Sequence, residues 1–211
     1  MTFSIVAIEQ KTKTIGVATT TANPSVGSRV PHAKNGVGAI ATQGLTEIYY
    51  GIKGLKLLER AHTPQEVLEI LLKNDREKEH RQLIIIDIHG KKAAFTGKEC
   101  FDFKGHIIGK DYVVAGNFLA NDNVVKEMAK AFEKGNEFVE KLVLTLEAGK
   151  KAGGDRRGER SAALVVVSST NTGVNLDLRV DNNYQPIKEL RQLFEKRKNY
   201  SVSSSITYNS G

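Results

Sequence analysis

The sequence has one cysteine, Cys100, among its 211 residues, and it has no tryptophan. A single cysteine cannot form an intrachain disulfide, and zinc sites built from several cysteines are excluded as well. No apolar run approaches the ~20 residues that a helix needs to cross a bilayer. The N-terminus has neither a basic segment nor a continuous apolar stretch, so the pattern predicts no secretory signal peptide. These absences favour a protein of the reducing cytoplasm that does not enter a membrane.

Recognisable metal and cofactor motifs are also lacking. The five histidines are scattered without HxH or HxxxH spacing, and Asp87 with His89 would supply only two metal ligands. The glycines of Gly36-Val37-Gly38 precede a predicted strand rather than a helix, unlike those of a dinucleotide-binding motif. We therefore expect neither a bound metal nor a cofactor.

Positive charge exceeds negative charge, with a formal net charge of +7 at pH 7. A basic protein can bind nucleic acid. Here, however, basic residues are mixed with acidic ones, as in the segment 73–79, and there is no arginine-rich arm or aromatic RNA-binding signature. The charge pattern therefore predicts a solvated surface and argues against nucleic acid as a partner.

Strands and helices can be predicted from apolar spacing, turn residues and capping residues. The predicted strands are Thr2–Ile8, Thr14–Thr20, Gly36–Thr42, Gln82–Ile88, Ala93–Thr96, Tyr112–Gly116, Ser161–Val167 and Val174–Val180. The predicted helices are Tyr49–Arg60, one after the capping box Thr63-Pro64-Gln65-Glu66, one capped by Asn121 or Asp122, one capped by Asn136, and Pro186–Lys198. Several of the strands are almost entirely apolar, which is typical of strands covered on both faces.

The order of these elements indicates the fold class. Strands occur in runs rather than alternating with helices, which argues against a parallel doubly wound sheet. The order instead predicts an α+β fold with four αββα layers, in which two stacked, mainly antiparallel sheets carry helix pairs outside. We expect one domain over residues 1–198, followed by a weakly ordered serine-rich tail over residues 199–211.

A hydroxyl residue, Thr2, opens the first predicted strand. If Met1 is removed, Thr2 carries both a nucleophilic hydroxyl and its own base, because a free α-amine with a pKa near ~8 can accept the hydroxyl proton. The alternative interpretation is that Thr2 is a β-branched residue that simply suits a strand.

A glycine-rich loop, residues 148–161, joins a predicted helix to a buried strand. Its glycines allow the backbone to bend or to approach a ligand closely. Arg156 and Arg157 could bind a carboxylate or a phosphate, and Asp155 could orient an arginine or a hydroxyl. Alternatively, the segment is a helix end followed by a surface loop with ion pairs.

Three further segments leave strands at positions where binding residues often lie. Arg29 and His32 follow the second strand, Gln43 and Gly44 follow the third, and Asn117 follows the sixth. Arg29 and His32 could face a pocket, Gly44 could offer its N–H to a developing oxyanion beside Gln43, and Asn117 could bind a ligand. Each residue could equally belong to an ordinary loop or turn.

Together these segments resemble a bacterial and archaeal family, Domain of Unknown Function 1028, over roughly residues 1–195. The residues that carry the resemblance are in segments 2–7, 36–43, 81–83, 94–97, 115–117, 152–158 and 178–181, and the Asp155-Arg156-Arg157-Gly158 sequence is the most specific. The family is grouped with the N-terminal-nucleophile (Ntn) hydrolases, which implies the same αββα sandwich. The resemblance implies no particular substrate.

Ntn hydrolases typically cleave amide bonds. The resemblance implies that Thr2 is the nucleophile once Met1 is removed, that Arg29 lies near it, and that Gly44 donates to the oxyanion. Asn117 and the Asp155–Arg157 segment would complete the pocket. We therefore expect an amidohydrolase that acts on a small anionic amide or peptide-like substrate. The alternative is a non-catalytic ligand-binding or assembly protein on the same scaffold, and a homo-oligomer is expected in either case.

Overall fold

Two antiparallel sheets lie face to face in the computed structural model, which describes residues 2–169 and 175–207, with side chains through Lys198. The strands are β1 (Thr2–Glu9), β2 (Thr14–Thr21), β3 (Pro31–Lys34), β4 (Gly38–Gly44), β5 (Arg81–Asp87), β6 (Lys92–Thr96), β7 (Gly105–Ile108), β8 (Tyr112–Asn117), β9 (Ser161–Ser168) and β10 (Leu176–Val180). The helices are α1 (Ile48–Glu59), α2 (Pro64–Leu72), α3 (Asn123–Lys134), α4 (Phe138–Lys151) and α5 (Pro186–Thr207). No helix within these ranges is both long and apolar enough to cross a bilayer.

The larger sheet has the strand order β10-β9-β2-β1-β8-β7, and the smaller sheet has the order β3-β4-β5-β6. Three hydrophobic clusters separate four layers, because each strand sends alternate side chains to opposite faces. On β1, Phe3 and Ile5 pack into the cluster that contains α3, α4 and α5, whereas Val6 and Ile8 pack between the sheets. A third cluster joins the smaller sheet to α1 and α2. The predicted αββα sandwich is confirmed.

The layer between the two sheets changes from apolar to polar along its length. Its apolar part contains small and branched side chains such as Ala41 and Ile84. Gln43 lies two residues from Ala41 on β4, and Gln82 lies two residues from Ile84 on β5, so each faces the same layer. Both glutamines are fully buried. This polar end coincides with the first residue of β1, so the fold places a group of buried hydrogen-bonding side chains beside Thr2.

Two short strands, β3 and β7, were not predicted from the sequence. Each has four residues and lies at the edge of its sheet. Short edge strands have weak alternation, and Pro31 is tolerated because it is the first residue of an edge strand. The predicted start of the last strand at Val174 lies outside the described residues, and the strand is described from Leu176.

Helix boundaries also differ from the prediction in two places. Helix α4 is capped by Glu137, whose carboxylate accepts hydrogen bonds from the N–H groups of Val139 and Glu140, rather than by Asn136. Helix α5 continues to Thr207, well into the segment predicted to be a tail, because no proline or glycine interrupts residues 187–207. Residues 208–211 lie outside the described part of the chain.

Candidate functional site

Thr2 is the first residue of β1 and lies between two neighbouring strands. It pairs with Thr21 on β2 and with Asn117 on β8, and only 5% of its surface is exposed. Its Oγ1 donates to Thr21 Oγ1 at 3.2 Å, and its carbonyl oxygen accepts a hydrogen bond from Gln43 Nε2 at 3.4 Å. The hydroxyl is therefore held in place at the polar end of the layer between the sheets.

Gln82 is the centre of the hydrogen-bond network at this end. Its Nε2 donates to the carbonyl oxygens of Gly105 and Gly116 at 3.1 Å and 3.0 Å, and to Thr96 Oγ1 at 2.9 Å. A carbonyl oxygen can only accept a hydrogen bond, so the two glycine carbonyls fix which end of the Gln82 amide faces them. The Oε1 of Gln82 must then point the other way, towards Gln43 and Asn117.

The orientation of Gln82 determines the orientation of its two amide neighbours. Gln82 Oε1 accepts from Gln43 Nε2 at 2.6 Å and from Asn117 Nδ2 at 2.8 Å. Gln43 Oε1 in turn accepts from Ser4 Oγ at 2.5 Å. Asn117 Oδ1 is left as the buried side-chain atom without a hydrogen-bond partner among the described residues, although Asn117 is only 1% exposed. Such an atom is rare in a folded protein and often marks the position of a ligand or water.

A pocket of about 270 Å³ opens beside Asn117. It is lined by Gly44, Leu45, Glu77, His80, Glu99, Cys100, Phe101 and Asn117. Cys100 is not a good nucleophile, because burial raises the pKa of its thiol and its Sγ donates to the Arg81 carbonyl oxygen at 3.3 Å. Thr2 is not among the lining residues, but it pairs with the lining residue Asn117 across neighbouring strands.

The wall of the pocket at Gly44 requires glycine. Gly44 has φ +81°, and a Cβ atom there would lie 2.5 Å from the His80 carbonyl oxygen. The next residue is held on both sides: Leu45 N–H donates to the His80 carbonyl oxygen at 2.9 Å, and the Leu45 carbonyl oxygen accepts from Arg81 at 2.6 Å. The chain that follows β4 is thus fixed where it borders the pocket.

Arg81 is itself held by Asp75, which also accepts a hydrogen bond from Tyr50. Burial alone would raise the pKa of Asp75, but the hydrogen bonds from Arg81 and Tyr50 outweigh burial and lower that pKa to about 2. The carboxylate is therefore ionised at neutral pH and keeps Arg81 directed at Leu45.

The glycine-rich loop reaches the same end of the larger sheet. The buried carboxylate of Asp155 accepts from Ala22 N–H at 3.3 Å, just beyond the end of β2, and from Arg157 N–H at 3.0 Å. Asp155 N–H donates to the buried carboxylate of Glu159 at 2.9 Å. Gly154, with φ +62°, allows Glu159 to approach, because a Cβ there would lie 2.0 Å from Glu159 Oε1. The loop is therefore an ordered part of the site region.

The two arginines of this loop are exposed and contact different groups. Arg157 pairs with the Asp155 carboxylate at 3.1 Å. Arg156 stacks on aromatic rings, with its guanidinium carbon 5.4 Å from the centre of the Phe118 ring and 5.8 Å from that of Phe103. Arg156 N–H also donates to the Phe118 carbonyl oxygen at 3.0 Å. The structure thus brings Asp155, Arg156 and Arg157 together beside the end of β8.

We expect Asp155→Asn to destabilise the fold by about 2–4 kcal/mol, because the amide would present a donor to groups that themselves donate and would lose the buried charge. A matched control exists in Asp177, which pairs with Arg179 two residues away at 2.7 Å but is exposed. Asp177→Asn should change the free energy of unfolding by about 1 kcal/mol or less. Urea denaturation measures both values, and equal effects would contradict the structural role given to Asp155.

His32 lies away from this end of the sheets. His32 is on β3 opposite Ile40, and its ring packs on Gly51 of α1, on the outer face of the smaller sheet. Burial lowers the pKa of His32, and its Nε2 lies 3.2 Å from the carbonyl oxygen of Arg29. Arg29 is exposed, and the described side-chain hydrogen bonds and ion pairs do not connect it to Thr2. Thr2, Gln43, Gly44 and Asn117 are therefore the predicted residues that the structure brings together at the polar end of the sheets.

Several residues of this region were missed at the level of sequence, namely Ser4, Thr19, Thr21, Gln82, Thr96 and the phenylalanines at 101, 103 and 118. Gln82 gave a detectable signal, because a glutamine at the start of a fully apolar strand needs buried partners. Its partners come from other strands, which the sequence does not identify. Among the described residues, no group of three or more His, Cys, Asp or Glu side chains could hold a metal ion.

A family model described as a family of unknown function, DUF1028, matches residues 2–190. The chain belongs to this family. The crystal structure of protein SPO2555 from Silicibacter pomeroyi, also assigned to DUF1028, aligns with a TM-score of 0.86 at 32% identity, covering 92% of this chain and 85% of that chain. The family resemblance predicted from the sequence is confirmed.

More distant similarity is found to Anbu structures. Anbu (ancestral beta-subunit) from Yersinia bercovieri aligns with a TM-score of 0.42 at 9% identity, covering 97% of each chain. Anbu from Hyphomicrobium sp. strain MC1 aligns with a TM-score of 0.45 at 8% identity, covering 96% of this chain and 97% of that one. Similarity at this level carries no argument about activity. No protein with a curated description matches the sequence.

Proposed function

We propose that this DUF1028 protein is an amide-bond hydrolase in which Thr2 is the nucleophile after cleavage of the peptide bond that precedes it. One observation carries the proposal: Thr2 pairs across neighbouring strands with Asn117, which lines a pocket and whose buried Oδ1 has no partner among the described residues. A hydroxyl on the strand next to a pocket residue with an unsatisfied polar atom supports a site for a small-molecule substrate.

The chemistry follows from the groups at this end of β1. The α-amine of Thr2 would take the Oγ1 proton as Oγ1 bonds to the substrate carbonyl carbon, and the carbonyl oxygen would become negative. Gly44 N–H is the proposed donor to that oxyanion. As the intermediate collapses, the C–N bond breaks and the leaving amine takes the proton from the Thr2 ammonium group. Water then attacks the ester on Thr2 by the same proton transfers, which releases the acid.

The predicted roles of Arg29, of the substrate charge and of oligomerisation depend on residues at the protein surface. Arg29 is proposed to lie near the nucleophile, as a basic residue after the second strand often does in Ntn hydrolases. The predicted preference for an anionic substrate depends on Arg156, which is exposed and stacks on Phe118 outside the pocket lining, because Arg157 already binds Asp155. Homo-oligomerisation stays a prediction, and exposed apolar side chains at Tyr49 and Ile52 on α1 support it.

A non-catalytic binding protein is the second candidate. The described hydrogen bonds of Thr2 involve Thr21 and Gln43, which are both neutral, so they provide no base for the hydroxyl. Without a free α-amine, Thr2 would lack the group that activates it. In that case the pocket would bind its ligand without cleaving it.

Mass spectrometry of the protein isolated from its own cells tests the proposal. We expect a chain that begins at Thr2 and, after incubation with a panel of small amides, an acyl adduct on the Thr2 peptide. If nearly all molecules keep the preceding residue, the nucleophile proposed here is excluded. Thermal stabilisation by a ligand that is recovered uncleaved would then support the binding protein instead.

A further inference from the structure

We propose that the pocket beside Thr2 binds a primary ammonium group. The substrate class would then be small amides that carry an ammonium group rather than a carboxylate, which rests on the hydrolase proposed above. The binding of the ammonium group itself does not depend on catalysis. Asn117 Oδ1 has no partner among the described residues, and carboxylates line the same pocket.

The hydrogen-bond network leaves Asn117 with an unpaired acceptor rather than an unpaired donor. The carbonyl oxygens of Gly105 and Gly116 orient the Gln82 amide, and Gln82 Oε1 then accepts a hydrogen bond from Asn117 Nδ2. Turning the Asn117 amide over would place two amide oxygens against each other. Asn117 Oδ1 therefore remains available for a donor, and a carboxylate oxygen placed there would meet another acceptor.

The charges that line the pocket are negative. Glu77 and Glu99 both line it, and both are exposed. His80 Nε2 lies 3.8 Å from Glu77 Oε2, so Glu77 has a partner within the pocket lining. The nearby Lys104 is not among the lining residues, and its Nζ is bound to the carbonyl oxygens of Lys98 and Cys100. Glu99 is thus the clearest source of attraction for a cation.

The apolar part of the lining also suits an organic cation. Phe101 is 57% exposed and Leu45 is 50% exposed, and both line the pocket. An aromatic face attracts a cation within about 6 Å of its centre, while an alkyl chain can pack on the leucine. The volume of about 270 Å³ is below the range of about 300–1,000 Å³ for drug-sized ligands, so a small molecule is expected.

The arginines that would favour an anion lie outside this lining. Arg157 is paired with Asp155, and Arg156 lies against the rings of Phe118 and Phe103. Neither lines the pocket beside Thr2. An anionic group could therefore reach Arg156 only outside the pocket, whereas the group that enters the pocket meets an acceptor and two carboxylates.

Probes with one branched alkyl chain and different head groups test this inference. Isopentylammonium, isopentyltrimethylammonium and isovalerate would be titrated into the protein at low ionic strength, with binding followed by NMR shifts of the backbone amides. We expect isopentylammonium to bind at least about tenfold more tightly than isovalerate. It should also bind about 3–5-fold more tightly than the trimethylated cation, which has no N–H to donate to Asn117.

Variants separate the contributions of charge and hydrogen bonding. Glu99→Gln should weaken isopentylammonium binding about 2–5-fold, whereas Glu69→Gln, an exposed change on α2, should leave it unchanged. Asn117→Ala should remove the advantage of the primary ammonium over its trimethylated form. Because Gln82 Oε1 still accepts from Gln43 in that variant, the fold keeps part of the network.

The outcome is decisive in either direction. Binding of isovalerate as tight as that of isopentylammonium would overturn the inference, as would equal binding of the two cations. The probes contain no amide bond, so catalysis does not affect the result. Ammonium binding without any hydrolysis would refute the proposed function alone, whereas hydrolysis with a preference for isovalerate would refute the ammonium inference alone.

Discussion

Replacement of Gln82 by glutamate is expected to destabilise the protein by about 3–5 kcal/mol at pH 7. The new carboxylate would face two glycine carbonyl oxygens and Thr96 Oγ1, which now share the two N–H donors of Gln82 Nε2. The site is fully buried, so water cannot solvate the charge. The substitution changes the volume of the side chain very little, so the loss of stability would come from hydrogen bonding and charge rather than from packing.

The destabilisation should depend on pH in a defined direction. Burial among acceptors favours the protonated form, so the pKa of the introduced carboxyl in the folded state should lie above the value of ~4.3 expected in the unfolded chain. The folded protein then binds more protons than the unfolded chain above pH ~4.3, and the stability of the variant relative to the parent falls as pH rises. Urea denaturation between pH 4 and pH 8 measures this trend.

Gln65→Glu is the matched control, because it makes the same chemical change on the exposed surface of α2, where Gln65 Nε2 donates to Glu69 Oε1. We expect this control to alter the free energy of unfolding by about 0.5 kcal/mol or less, with little dependence on pH. If Gln82→Glu behaves like Gln65→Glu at pH 7, the amide network does not have the orientation described here, and the acceptor assigned to Asn117 loses its basis.

The sequence allowed the fold to be predicted because the signals of its elements are local. Apolar runs such as Leu83–Ile86 indicate covered strands, and the capping box at Thr63 with Pro64 marks the start of α2. Local signals failed at β3 and β7, which are too short to alternate and depend on pairing with a neighbouring strand for their conformation. Pairing across a sheet is non-local, so the sequence alone does not reveal it.

The site was less predictable for the same reason. Thr2, Gly44 and Asn117 each lie at the end of a strand, where sequence reasoning looks for function, and β1 and β8 bring two of them side by side. The acceptor at Asn117 Oδ1, in contrast, results from a chain of hydrogen bonds through Gln82 on β5 to carbonyl groups on β7 and β8. Residue identity alone gives an asparagine both a donor and an acceptor, and only the fold determines which one faces the ligand.

This distinction also changes the interpretation of the basic residues. A net charge of +7 and the sequence Arg156-Arg157 favour an anionic ligand when charge is counted along the chain. In the folded protein, Arg157 is bound to Asp155, while Glu77 and Glu99 line the pocket beside Thr2. The electrostatic potential in a pocket is set mainly by the charges close to it. It can therefore be negative although the net charge of the protein is positive.

Thr2→Ala is expected to abolish amide hydrolysis, with a loss of at least about 10³-fold in kcat/KM, because the variant has no hydroxyl to attack the carbonyl carbon. The stability cost should be small, about 1 kcal/mol, since one hydrogen bond to Thr21 is lost. Thr2→Ser keeps a hydroxyl and should retain measurable turnover. Steady-state kinetics with a small amide measures all three proteins, and mass spectrometry verifies that each begins at residue 2.

Thr14→Ala supplies the matched control, because Thr14 Oγ1 donates to Ser168 Oγ at 3.2 Å, the same length as the bond from Thr2 to Thr21. Thr14 lies at the other end of β2, opposite Glu9. The control should lose a similar amount of stability and keep its activity, since no group near the pocket changes. Equal activity in Thr2→Ala and Thr14→Ala would show that the hydroxyl at the start of β1 is only a strand residue. Loss confined to Thr2→Ala, with turnover retained by Thr2→Ser, would instead require the Thr2 hydroxyl in the chemical step.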